Sequence, residues 1–169
     1  VAWPLYFGWR GLKVLWEQNL VQSLQWRPED GCRFYVIERA SGKHVGTWHS
    51  PTFFCFHHVN AFEQGDELVL DMSTYEDAGL IEALKLYNLR DPSRINIPEG
   101  RLDRFYLRGL QAKTASPHQR TAEMERLCDH TVELPRINEQ VHMQPYRYVY
   151  GIGNSGPRQW IDRIVKFDV

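Results

Sequence analysis

Apolar and polar residues alternate over short stretches along most of this chain, and Gly, Pro, Asp and Asn fill many of the intervals between them. A period of two predicts strands. Strands are predicted over residues 21–26 and 32–39, flanking Pro28-Glu29-Asp30-Gly31, where Pro fixes φ and Gly tolerates a positive one. Ser41-Gly42-Lys43 makes a second turn before a strand over 45–49. A longer strand, 52–62, turns at Gln64-Gly65-Asp66 and returns over 67–72. Four antiparallel strands joined by tight turns make one sheet on this reading. Further strands are predicted over 132–137, 146–150 and 160–167.

Two segments carry the helical period instead. Within residues 4–17, Leu5, Trp9, Leu12 and Trp16 recur at spacings of four, three and four, with Arg10, Lys13 and Glu17 off that face. Such a helix either packs on the body of the protein or lies at a membrane surface, where Trp, Tyr and Phe flanked by Arg and Lys suit the headgroup boundary. Residues 78–89, rich in Leu and Ala and stopped by Asp91-Pro92, predict a second helix. Residues 91–131 are the least regular, with one strand predicted over 104–110 between polar segments.

Composition removes several function classes. The chain has 169 residues, 20 basic against 21 acidic, so no electrostatic footprint for nucleic acid is present. Cys32, Cys55 and Cys128 are too few and too scattered for a disulfide framework or a zinc site. The sequence contains neither an Asn-x-Ser/Thr sequon nor an apolar run long enough to span a bilayer. An intracellular, cytoplasmic setting is the simplest expectation, with membrane association or a mitochondrion left open.

One position asks for chemistry. In Phe53-Phe54-Cys55-Phe56-His57-His58-Val59-Asn60-Ala61-Phe62-Glu63 a histidine pair interrupts an apolar strand. Strict alternation puts His57 on one face with Cys55, Val59 and Ala61, and turns His58 to the other. An imidazole so placed is either satisfied by a hydrogen bond or ligated to a metal, and these residues alone leave both open. Gly151-Ile152-Gly153-Asn154-Ser155-Gly156 satisfies the G-x-G-x-x-G pattern. Pro157 and a predicted strand follow it where a phosphate-binding helix would be needed, so a loop between strands is expected and no dinucleotide is implied.

The word Phe56-His57-His58-Val59-Asn60-Ala61-Phe62-Glu63 resembles the third iron-ligand strand of the carotenoid cleavage oxygenases. That family includes the animal beta-carotene oxygenases and the retinoid isomerohydrolase of the visual cycle. Other words follow in family order: Ser23-Leu24-Gln25-Trp26-Arg27-Pro28-Glu29-Asp30-Gly31, Glu67-Leu68-Val69-Leu70-Asp71 with Tyr75-Glu76-Asp77, Arg104-Phe105-Tyr106-Leu107, Val132-Glu133-Leu134-Pro135-Arg136, and Pro145-Tyr146-Arg147-Tyr148-Val149-Tyr150-Gly151. Leu107-Arg108-Gly109-Leu110 departs from the family's Pro-containing apolar ending.

The resemblance implies an all-β fold with short helices, part of a seven-bladed β-propeller. A blade takes roughly 40–45 residues, so this length supplies about three to four blades and cannot close the ring. The expectation is an internal fragment, residues 1–169 of a single propeller domain beginning at Val1, inactive alone. The resemblance also implies Fe(II) held by four histidines from different blades. His57 carries over as one ligand, because plant members keep a histidine there and an apolar residue at the place of His58, which is left a structural role. Glu133 carries over as the glutamate that holds the ligand's other ring nitrogen; without the resemblance it would be expected to face solvent. His44, His49, His118, His130 and His142 match no ligand word and read as surface histidines.

The function implied is cleavage of a conjugated C=C bond in a carotenoid or apocarotenoid by O2, giving aldehydes or ketones. A retinyl-ester isomerohydrolase on the same fold, and an iron-free carotenoid- or retinoid-binding propeller, are the alternatives. Family members draw insoluble substrate from membranes, which gives the Leu5, Trp9, Leu12 and Trp16 face its sharper reading.

Overall fold

A computed structural model describes residues 1–8, 15, 21–112, 120–156 and 159–169. Strands dominate. β1 (Leu5–Phe7) and β2 (Leu24–Trp26) form a two-stranded sheet with Leu5 opposite Trp26. β3 (Cys32–Ile37) and β4 (His44–Ser50) form an antiparallel hairpin, and the short β8 (Arg120–Thr121) adds to β4 in parallel. The central sheet is a four-stranded meander of β5 (Phe54–Gln64), β6 (Glu67–Tyr75), β7 (Arg101–Arg108) and β9 (Glu123–Cys128). A last sheet orders β10 (Glu133–Arg136), β11 (Tyr148–Gly153) and β12 (Arg163–Asp168) side by side. Two short helices, α1 (Gly79–Ala83) and α2 (Leu86–Leu89), follow β6.

The central sheet is covered on both faces. On one, Cys55, Leu70, Met72, Phe105 and Leu107 pack against Cys32, Phe34 and Trp48 of the β3–β4 hairpin. Phe53 joins Phe34 and Phe105, with ring centroids 6.0 and 4.8 Å away. On the other, Val59 and Leu102 meet Val132 and Val149 of the last sheet. Each large apolar side chain so enclosed contributes about 1.5–3 kcal/mol relative to exposure. Sheets stacked face to face in chain order are the arrangement of successive propeller blades.

Double coverage explains the composition of β6, which is buried from Val69 to Tyr75 although it carries Asp71, Ser73 and Thr74. Each of these polar groups has a partner, as burial requires. Asp71 accepts both nitrogens of a fork from Arg104, each at 2.8 Å, and the Tyr146 hydroxyl. Ser73 donates to the carbonyl of Val132, and Thr74 to Asp103. Asn60, on β5, donates to the Gln144 carbonyl at 3.0 Å and accepts from the Met143 N–H at 3.1 Å, tying the last sheet's loop to the central one.

Several expectations need correction. Residues 5–7 form strand β1 where the helix over 4–17 was predicted, so Leu5 leaves the proposed helical face; Trp9, Leu12 and Trp16 lie outside the described residues. The four strands expected to form one sheet divide between two, because β4 pairs with β3 and β8 while β5 opens a new sheet. The central sheet takes its fourth strand, β9, from the polar segment. Glu123 to Arg126 are all exposed, so this edge strand shows no alternation to read. The helix over 78–89 breaks at Lys85, which is extended at φ −65° and ψ 138°. Gly109 accounts for the unusual Arg108-Gly109-Leu110 ending: at φ 77° it turns its N–H onto the Asp66 carbonyl, 2.9 Å away, closing β7 against the β5–β6 turn.

Candidate functional site

The face of His57 is set by two irregularities in β5. Cys55 pairs with Thr74 but His57 with Ser73, so two residues of β5 pass one of β6; between His58 and Asn60 the same happens again. Each bulge inserts one residue and reverses which face the following side chains occupy. Cys55 and Ala61 therefore remain with Leu70 and Met72 on the hairpin side, whereas His57 turns to the side of Ser73 and Tyr75. The expected sharing of a face by His57, Cys55 and Ala61 is thus wrong, because strict alternation does not survive a bulge.

On its new face His57 meets Glu133, the first residue of β10. Nδ1 of His57 lies 2.5 Å from Oε2 of Glu133. The carboxylate is held at two further points: the Tyr75 hydroxyl donates to Oε1 at 2.6 Å, and the Leu134 N–H donates to Oε2 at 3.2 Å. Leu134 reaches that carboxylate from a positive φ of 47°, uncommon for a residue with a branched side chain. Glu133 is 6% exposed, a buried carboxylate with three donors around it rather than the solvated one its neighbours would suggest. Burial and the adjacent Glu133 push the Tyr75 phenol well above its ordinary value, which keeps it a donor.

The geometry fixes a tautomer. A carboxylate only accepts, so Nδ1 carries a proton, and in the neutral imidazole the lone pair is then on Nε2. Nε2 makes no hydrogen bond to a described residue, and the His57 side chain is 40% exposed. A neutral imidazole with one nitrogen tied to a carboxylate and the other open is what a metal ligand requires. Among the described residues no group of three or more His, Cys, Asp and Glu side chains could hold a metal ion. His57 with Glu133 could therefore supply one metal ligand and its support, and the described residues alone do not complete a metal site.

The other histidines are dispersed. His58 stands opposite Met72, on the face away from His57 as expected; it makes no hydrogen bond to a described residue, and burial lowers its pKa. His44 sits 3.0 Å from the Thr47 hydroxyl near its turn, and His130 and His142 are exposed. His49 is half-buried opposite Arg33 on β4, and His118 lies outside the described residues.

The glycines of the G-x-G-x-x-G word have a packing role. A Cβ on Gly151 would stand 2.7 Å from Val132 Cγ1 and 2.9 Å from the Glu133 carbonyl oxygen. On Gly153 it would stand 2.7 Å from the Thr131 carbonyl oxygen. Both let β11 lie close against the segment that presents Glu133.

Residues 1–169 match the family model described as RPE65, retinal pigment epithelial membrane protein. The chain belongs to the RPE65 family. This is the carotenoid oxygenase family that the residue words resembled. The chain is similar to a torulene dioxygenase of Fusarium fujikuroi, 30% identical over 97% of this chain and 33% of that protein. It is also similar to a carotenoid isomerooxygenase of Galleria mellonella, 27% identical over 89% of this chain and 29% of that protein. Among solved structures, cobalt-substituted Synechocystis ACO superposes with a TM-score of 0.70 at 24% identity, over 94% of this chain and 32% of its own. The chain thus spans about a third of the length of the proteins it matches. Its sheets are part of the seven-bladed propeller of the RPE65 family, as the sequence led us to expect.

Sequence reasoning reached His57 and Glu133 but passed over Tyr75, Asn60, Asp71, Arg104 and Tyr146. Tyr75 carried a signal: it ends a strand that opens on the apolar run Leu68-Val69-Leu70, and a Tyr buried there usually bonds something.

Proposed function

We propose that the complete protein is an Fe(II)-dependent oxygenase cleaving a conjugated C=C bond of a carotenoid or apocarotenoid. One O2 and one C=C give two C=O groups, so each product takes one oxygen atom. The observation that carries this reading is the His57–Glu133 pair, on the strand whose wording resembles the family's ligand strand. Residues 1–169 are one stretch of a single propeller domain on this proposal, contributing one ligand, His57, and its support, Glu133.

His57 would be one of the neutral imidazoles holding ferrous iron, and that iron would keep its positive charge and supply the activation of O2. The chain's own contribution is positional. Glu133 holds the proton of the neutral imidazole on Nδ1 of His57, which leaves Nε2 as the nitrogen that can ligate. Stacking of the central and last sheets fixes that pair in space and shields Glu133 from water. The relatives' printed names, a torulene dioxygenase and a carotenoid isomerooxygenase, support a polyene substrate.

The test is the complete protein, purified with iron and incubated with carotenoids under labelled O2. Aldehyde or ketone products carrying label from O2 are expected. Release of an isomerised retinol from a retinyl ester without O2 consumption would replace this reading by the isomerohydrolase. A complete protein that binds carotenoid but no iron would replace it by the binding propeller.

A further inference from the structure

The contacts that grip the start of β10 form a series. Gly100 N–H donates to the Thr131 hydroxyl oxygen at 2.9 Å, Ser73 donates its hydroxyl to the Val132 carbonyl, and Tyr75 donates to Glu133 Oε1 at 2.6 Å. Three consecutive residues of the last sheet's leading segment are therefore each bonded from the central sheet side. Ser73 and Tyr75 are alternate residues of β6, on the face that the bulges give to His57. Each of the three gripping residues is fixed. Ser73 and Tyr75 are 1% and 2% exposed, and Gly100 stands so close to Tyr75 that a Cβ there would lie 3.1 Å from Cζ of its ring.

Only one contact of the series touches the carboxylate, and it selects an oxygen. With Oε1 taken by Tyr75, Oε2 is the oxygen that faces His57. Without the phenol, only the longer 3.2 Å bond from the Leu134 N–H holds the carboxylate besides His57 itself, and rotation about its last bond can turn its oxygens off the line to Nδ1. We propose that Tyr75 is a positioning residue: its hydroxyl orients Glu133 so that the Glu133–His57 bond holds the Nδ1–H tautomer and leaves Nε2 as a metal ligand. This rests on the reading of His57 as a ligand, but the tautomer itself does not require a metal.

Two measurements on the complete protein decide it. In the metal-free protein labelled with 15N-histidine, the His57 signals, assigned by their loss in His57→Gln, should show Nδ1 protonated. Tyr75→Phe should move them toward the other tautomer or an exchanging mixture. In the protein loaded with Fe(II) or Co(II), Tyr75→Phe should retain metal about tenfold more weakly against a chelator. Ser73→Ala loosens the same junction without touching the carboxylate, and should leave the tautomer unchanged. An unaltered tautomer in Tyr75→Phe overturns the inference, whether or not metal binds. An altered tautomer with no metal bound by the parent protein upholds it and removes the ligand reading instead. Should Tyr75→Phe not fold, Gly100→Ala displaces the ring while keeping its hydroxyl. A tautomer shift there supports the inference, and an unchanged one opposes it.

Discussion

His57 and Glu133 are 76 residues apart in the chain and 2.5 Å apart in space, one on the central sheet and one on the sheet stacked against it. The bond between them crosses a junction of two blades. Any change that alters how those sheets stack will be felt at the imidazole, and changes confined to the outer edge will not.

Glu133→Gln is the direct probe of that bond. An amide can still fill the space, but its NH2 cannot accept, so its one oxygen serves either Tyr75 or His57 with Leu134, and it carries no charge to hold the Nδ1 proton. Iron retention in the complete protein should fall by about 10- to 100-fold, read as iron content after dialysis against a chelator. Normal iron content and turnover would remove Glu133 from the role assigned to it.

The junction holds a second buried charge. The Asp71 side chain has no exposure, and Arg104, 17% exposed, forks onto it. Asp71→Ala leaves that guanidinium without its partner and the Tyr146 hydroxyl without its acceptor. A loss of about 3–5 kcal/mol is expected, as for other broken buried pairs, measured by urea unfolding. The solvent-exposed Arg147–Asp168 fork has the same geometry, with both bonds at 2.7 Å, yet Arg147→Ala should leave the midpoint unmoved because water screens that pair. Equal effects of the two substitutions would contradict the buried role of Asp71.

Much of this was legible in the residues, and the failures have physical causes. β3 to β7 lie within a few residues of their predicted bounds because alternation and turn glycines act locally. The pairing of strands into sheets was misread, since a tight turn shows that two strands are adjacent in sequence and says nothing about where one sheet ends. β9 was missed because an exposed edge strand buries too little to impose a period. The facing of His57 was misread because a bulge leaves no mark in the alternation until the partner strand is known. Glu133 was found through its resemblance to a family word; its setting among Val132, Leu134 and Pro135 pointed to solvent.

The N-terminal aromatic face gives a prediction that the fold narrows. Leu5 pairs with Trp26 in β1–β2, so membrane contact, if the segment makes it, falls to Trp9, Leu12 and Trp16. Trp9→Glu with Trp16→Glu in the complete protein should abolish co-sedimentation with liposomes. Leu5→Ala should leave it largely intact. Undiminished binding by the double variant rejects the membrane reading of this segment.

Gly151 tests whether backbone proximity, and not a phosphate, explains the glycine-rich word. An alanine there needs room where Val132 Cγ1 stands at 2.7 Å and the Glu133 carbonyl oxygen at 2.9 Å, and backbone cannot yield as a flexible side chain does. β11 must move off β10, at a cost of about 1–3 kcal/mol by analogy with overpacked cores. Glu133 moves with its backbone, so iron retention should fall together with stability. Gly156, whose nearest neighbour at 3.7 Å is the exposed Gln159 side chain, belongs to the same word but to none of this packing. Gly156→Ala should change neither property. A nucleotide-binding loop would predict nucleotide affinity that either substitution weakens, and titration of both variants with NAD and ATP separates the two explanations.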